Sequence, residues 1–178
     1  MVRNPMQRPE TGSACRRPLR IWMALLLTLA LQLGLALGVP SPAWALDFTL
    51  TQQNGADFHG QDLSHTSFAG VVARGANFAG AQMQGSILTQ ANFAESDFRG
   101  ADLSDALMDR TNFSGTDLSG AVLRGVIASG SSFSQATVEG ADFTDALLDR
   151  EDQRNLCKRA RGTNPITGAD TRLSLDCA

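Results

Sequence analysis

The sequence predicts an all-β solenoid, a chain wound as a coil with short straight sides. Three patterns predict it. A large apolar residue stands at every fifth position: across residues 91–125, "ANFAESDFRGADLSDALMDRTNFSGTDLSGAVLRG", these are Phe93, Phe98, Leu103, Met108, Phe113, Leu118 and Leu123. A period of five fits neither a helix, near 3.6, nor a flat strand, at 2. Second, residues 46–150 divide into 21 five-residue units without an insertion, and all nine phenylalanines take the third place. Third, a longer period of twenty runs through the same stretch. Gly60, Gly80, Gly100, Gly120 and Gly140 form one ladder, and Phe58, Phe78, Phe98, Leu118 and Val138 form another. Repeats of fixed period make arrays that bury a core only by stacking.

Residues 1–45 precede the repeat. Arg3, Arg8, Arg16, Arg17 and Arg20 stand against one acid, Glu10, and the uncharged apolar run Ile21–Val39 follows. Pro40 and Pro42 break the run ahead of Ala43-Trp44-Ala45. A basic start, an apolar middle and an A-x-A end describe a cleavable secretory signal, with cleavage expected after Ala45. A retained membrane anchor is the alternative for a run of this length. Arg16-Arg17 is a partial twin-arginine pattern, which leaves the export route open. Without the leader, 17 acids and 10 bases remain, a net charge of −7. That surface argues against binding nucleic acid by phosphate neutralisation.

Within each unit the chemistry is uniform. The third residue faces inward, because burial is what selects Phe, Leu and Met. The first is Ala, Ser, Thr or Val apart from Leu46 and Gln61, small enough to share a narrow interior. The second is commonly Asp or Asn, in keeping with turn chemistry. The fifth is commonly Gly, as a corner requires. Ala73 and Ala128 occupy third places, and both units begin with a larger residue, Val71 and Val126, so volume lost at one inward site returns at the other.

This pattern resembles the pentapeptide-repeat family, whose motif reads A-(D/N)-(L/F)-x-x. The resemblance implies a right-handed quadrilateral β-helix with four units to a coil. The 21 units would make about five coils, and the period of twenty is what such a coil requires.

At Arg150 the grammar changes, and residues 151–178 read as a short α-helical C-terminal cap. "DREDQRNLCKRARG" predicts a helix with Asp149 as its cap, acids in its first turn, bases near its end and Gly162 as terminator. "GTNPITG" is a turn-rich connection. "DTRLSLDC" predicts a second short helix capped by Asp170. Cys157 and Cys177 are the two cysteines left once Cys15 departs with the leader. In an exported chain this count suggests a disulfide, contributing roughly 3 kcal/mol. Two unpaired thiols are the alternative. The phrase 156–177 also resembles the cap of the lumenal pentapeptide-repeat proteins of cyanobacteria and plastids. That implies a thylakoid-lumen location, with the periplasm as second choice.

No catalytic constellation, cofactor site or metal-ligand spacing emerges. His59 and His65 are read as surface and corner residues. One departure from the repeat stands out: on a single face the second place becomes Ile87, Leu107, Ile127 and Leu147, twenty apart. An aliphatic stripe of this kind marks a candidate interaction surface, for a protein partner in the exported compartment or a second copy of the chain. Alternatively, the four side chains shield one another with some cover from the tail. The function expected is a non-catalytic protein-interaction scaffold, with no nucleic acid and, after cleavage, no membrane as partner. An acidic DNA mimic like the gyrase-protecting branch of the family, and an enzyme with an unrecognised site, are the alternatives.

Overall fold

The computed structural model describes residues 46–177, so the leader and its expected cleavage site lie outside the described residues. From Asp47 to Leu147 the chain winds in coils of twenty residues. Seventeen parallel bridges, each between second-place residues twenty apart, run from Asp47–Ser67 to Ile127–Leu147. The backbone bonding repeats around every coil. Phe78 donates to Asp97 O at 2.7 Å, Gly80 to Arg99 O at 2.9 Å, and Asp97 back to Ala76 O at 2.9 Å. Each corner closes when the next unit's first amide returns to the preceding third-place carbonyl, as Ala81 does to Phe78 at 3.0 Å. The residue before it has positive φ, the conformation type II turns require at that place.

The third-place side chains fill the interior. Phe58, Phe78 and Phe98 stack with centroids 4.8 and 4.7 Å apart, and Phe93, Phe113 and Phe133 stack on the next face at 5.6 and 5.3 Å. The two columns meet edge to face, Phe93 against Phe98 at 5.3 Å. Several buried first-place hydroxyls bond to backbone carbonyls, Ser96 Oγ to Ala73 O and Thr111 Oγ1 to Leu88 O, both at 2.7 Å, whereas the buried Ser86 hydroxyl has no partner. At ten second-place Asp or Asn residues a side-chain oxygen accepts the amide two residues on, as Asp102 does from Ser104 at 3.0 Å. That bond is the local reason for the repeat's second letter.

The last coil is closed by the tail. Helix α1 (Arg150–Cys157) and the single turn α2 (Thr171–Ser174) lie on it, with Leu156 and Leu175 buried. Tail groups replace the missing next coil. Asp149 Oδ2 accepts from Gly130 N at 2.7 Å, Arg159 donates to Phe133 O at 2.6 Å, Arg161 O accepts from Gly140 N at 2.8 Å, and Ser174 Oγ accepts from Phe143 N at 3.0 Å. Two expectations are corrected here. Asp149 holds the N-cap position of α1, but its side chain makes no cap bond, because the coil's loose amide takes it. Gly162 does not end α1, which stops at Cys157. It has φ +85° and passes so close to Gly140 that an added Cβ would lie 3.2 Å from Gly140 N. Asp170 does cap α2, accepting from the amides of Arg172 and Leu173.

Cys157 and Cys177 are bonded, joining the end of α1 to the end of the tail. Reduction is expected to lower stability by roughly 3 kcal/mol, read as a drop in urea midpoint on adding dithiothreitol. Burial raises the Asp152 carboxyl pKa, and neighbouring Asp149 and Glu151 raise it further. A raised carboxyl destabilises the fold when ionised, and the penalty lifts as pH falls through its folded value. Asp152→Asn is therefore expected to stabilise the protein at pH 7 and to close the gap with wild type as the solution is acidified, measured by thermal melts from pH 7 to pH 4.

Candidate functional site

The stripe is one continuous column. Bridges join Ile87 to Leu107, Leu107 to Ile127 and Ile127 to Leu147. Ile87, Leu107 and Leu147 are 40, 39 and 60% exposed, and Ile127 is half-buried. The tail does not cover it. Instead the tail lies along the neighbouring face, where Asn164 bonds to Gly120 O and Ala121 O at 3.1 Å and Val122 is buried. The outward aliphatics thus part ways: Val122 is enclosed within the chain, and the four-residue column is left to solvent.

Four consecutive turns on this face also give up a bond that most second places on the other faces keep. Aliphatic side chains cannot accept the amide two residues on, so four turns forgo a bond worth about 0.5–1.5 kcal/mol each. Ser129 N recovers an acceptor from Asp109 Oδ1 at 3.2 Å.

The corners beside the stripe are unusual as well. The repeat contains eight non-glycine residues at positive φ: Leu50, His65, Gln90, Glu95, Asp105, Arg110, Gln135 and Asp145. Six of these eight, all but Glu95 and Gln135, stand at the two corners bounding the stripe. The corner carrying Gly60 through Gly140 has none. Each non-glycine residue there costs about 1 kcal/mol, so both edges of this face carry side chains in a conformation glycine would hold more cheaply. Sequence reading found the column but missed its edges. The signal was present as a broken glycine ladder.

His59 and His65 are exposed and separate. Among the described residues no group of three or more His, Cys, Asp and Glu converges as a metal site would. The acidic column of Asp57, Asn77, Asp97 and Asp117 is partly neutralised. Arg99 donates to Asp97 Oδ2 at 2.5 Å and its Nε lies 3.9 Å from Asp117 Oδ2. Hydrogen bonds from Arg99 are the main cause holding the Asp97 carboxyl below its usual range.

The pentapeptide-repeats family model matches residues 54–90, 86–125 and 112–150, in eight copies. The chain belongs to the pentapeptide-repeat family. The fold of that family is the right-handed quadrilateral β-helix. Among solved structures, a pentapeptide repeat protein from the Arabidopsis thaliana thylakoid lumen is 36% identical, with 75% of this chain and 86% of that one covered and a TM-score of 0.37. A trypsin-treated form of QnrB1, a plasmid-mediated fluoroquinolone resistance protein, is 21% identical, covering 61% and 65%, at 0.48. A pentapeptide repeat protein from Nostoc PCC 7120 is 19% identical, covering 78% and 94%, at 0.42. No match is found among curated proteins. In pentapeptide-repeat terms, the stripe is four consecutive coils in which one face carries an aliphatic residue at the motif's Asp or Asn place every time.

Proposed function

We propose that this pentapeptide-repeat protein is an exported, non-catalytic scaffold that docks protein through the face bearing Ile87, Leu107, Ile127 and Leu147. The observation that carries it is the concentration of costs on that face. Four aliphatics, three exposed and one half-buried, stand where the repeat commonly places a turn-bonding Asp or Asn, and strained corner residues flank them. A rigid coil holds those side chains at intervals of ~4.8 Å, a spacing set by strand stacking, so the face is organised before binding. Export is supported by the leader pattern of residues 1–45 and by the Cys157–Cys177 bond, which suits an oxidising compartment. The thylakoid lumen is the compartment proposed, on the resemblance of residues 156–177, with the periplasm as second choice. The DNA-mimic alternative is less favoured, because Arg99 lies across the acidic column of Asp57, Asp97 and Asp117 and an exported protein is separated from cytoplasmic DNA enzymes.

The test uses residues the repeat already accepts. Leu107→Asn with Ile127→Asn places Asn where Asn92 and Asn112 stand on the next face, bonding the amides of Ala94 and Ser114. Lost aliphatic contact is offset by new turn bonds, and the net change is expected to stay within about 1 kcal/mol. Cross-linking in intact cells is expected to give adducts with the wild type that the variant lacks. Identical adducts from both would remove the face from the mechanism.

A further inference from the structure

The tail stops short at one corner of the last coil. On the stripe face one coil earlier, Val126 O accepts from Leu147 N at 2.8 Å and Ala128 N donates to Leu147 O at 3.0 Å. The equivalent groups of the last strand are Ala146 O and Leu148 N, and among the described residues neither has a hydrogen-bond partner. At the corner before it, Gly125 N donates to Thr144 O at 3.0 Å, whereas Asp145 N has no acceptor among the described residues. Elsewhere on this end the tail supplies substitutes, at Gly130 N, Gly140 N and Phe143 N. The stripe face therefore ends in an open strand edge, a template for pairing with another chain.

A groove of about 450 Å³ lies beside this edge. Phe143, Ala146 and Leu148 line its coil side, and Leu173, 76% exposed, stands on the far wall. Its charged lining residues are Asp145, Asp170 and Asp176, all exposed, and none of them is in an ion pair within 4 Å. Among the described residues no Lys, Arg or His lines it. A second groove, beside Gln135, is mixed in charge, with Lys158 and Arg159 standing among Asp149, Glu151 and Asp152.

Resting on the docking reading above, we infer that the protein partner contributes an extended segment, apolar at its centre and basic at its ends, which adds to Ala146–Leu148 as one further strand of the stripe face. Its central residue donates to Ala146 O and accepts from Leu148 N, as Leu147 does with Val126 O and Ala128 N one coil earlier. That residue points outward and extends the aliphatic column ~4.8 Å beyond Leu147. Its neighbour points inward and covers Leu148 and Phe143. Main-chain bonds hold such an added strand, and the side chains on either side of it select its sequence. The carboxylates of Asp145, Asp170 and Asp176 select for base and against acid. The first coil of a second copy does not fit, because it carries Asp47, Asp57 and Asp62 and neither Lys nor Arg.

The test is fluorescence anisotropy of a labelled peptide, three valines flanked on each side by two arginines, titrated with the chain as recovered from cells. Saturable binding is expected. Methylating the valine amides removes the strand-forming donors but keeps charge and apolar content, and is expected to weaken binding at least ~10-fold. Glutamate in place of arginine is expected to abolish it. Asp145→Asn with Asp176→Asn is expected to weaken binding ~10-fold, and both places have positive φ, which Asn tolerates. Asp57→Asn with Asp62→Asn, the same loss of charge at the other end of the coil, is expected to change it less than ~2-fold. Circular dichroism checks the fold of each variant. No binding, equal binding of the methylated peptide, or equal weakening by the two pairs of substitutions overturns the proposal. If the peptide fails to bind while the Leu107→Asn, Ile127→Asn variant still loses its cellular adducts, the docking reading stands and strand addition is not its means. If the peptide binds as expected while those adducts are unchanged, the groove is a site and the aliphatic face is not.

Discussion

Phe98→Ala is expected to cost about 3–5 kcal/mol of unfolding free energy, read as a lower urea midpoint. Phe98 is fully buried, stacked on Phe78 at 4.7 Å and edge-on to Phe93 and Phe113 at 5.3 and 5.7 Å. The cost sits at the upper end for a core truncation because the cavity has little means of closing. Phe78 and Leu118, above and below, are held by backbone bonds at 2.7 and 2.8 Å to their own adjacent coils. Phe98→Leu is the control. Leu118 occupies the same column one coil on, so this change stays within what the site accepts and should cost about 1 kcal/mol. Equal losses for Ala and Leu would mean the column is not packed as described.

Asn164→Ala is expected to cost about 3–4 kcal/mol, although the residue lies in the turn-rich tail and fills no part of the phenylalanine core. Its amide nitrogen donates to Gly120 O and Ala121 O at 3.1 Å and to Gly140 O at 2.9 Å. Its oxygen accepts from Ile166 N and Thr167 N at 2.9 Å. The side chain is 1% exposed, so truncation leaves several buried backbone groups without partners, each at a cost of about 1–3 kcal/mol before water enters. Asn164→Asp separates bonding from size. It keeps the acceptor but replaces the amide donor, and should be nearly as damaging. Hydrogen exchange at Gly140 and Phe143 would locate the loss, because both amides bond to the tail.

The two predictions differ in how far they could be read from residues alone. Phe98 is identified by its place in a five-residue period. Its stacking partners follow from a period of twenty, because a coil with four equal sides leaves no freedom in register. Asn164 carries no such signal. It is one Asn in "GTNPITG", and its role depends on carbonyls 43 and 44 residues away. Likewise the local pattern around Asp149 suggested a helix cap, and a distant amide, Gly130 N, took the carboxylate. Short-range rules predict what a side chain can do. Which partner it takes depends on what the fold brings within reach.

The candidate face divides the same way. Ile87, Leu107, Ile127 and Leu147 are visible as a column once the chain is cut in fives, because identical spacing forces identical placement. That they stay open to solvent was a question of where 28 residues outside the repeat would lie, and the tail covers Val122 on the neighbouring face instead. The placing of the non-glycine corners also needed the coil, since only closure into four sides puts Asp105 and Arg110 on either side of one column. Repetition makes the coil readable, because every unit meets the same surroundings. The cap, the open face and its non-glycine corners arise where the repetition fails, and there each residue is decided by contacts that no local rule encodes.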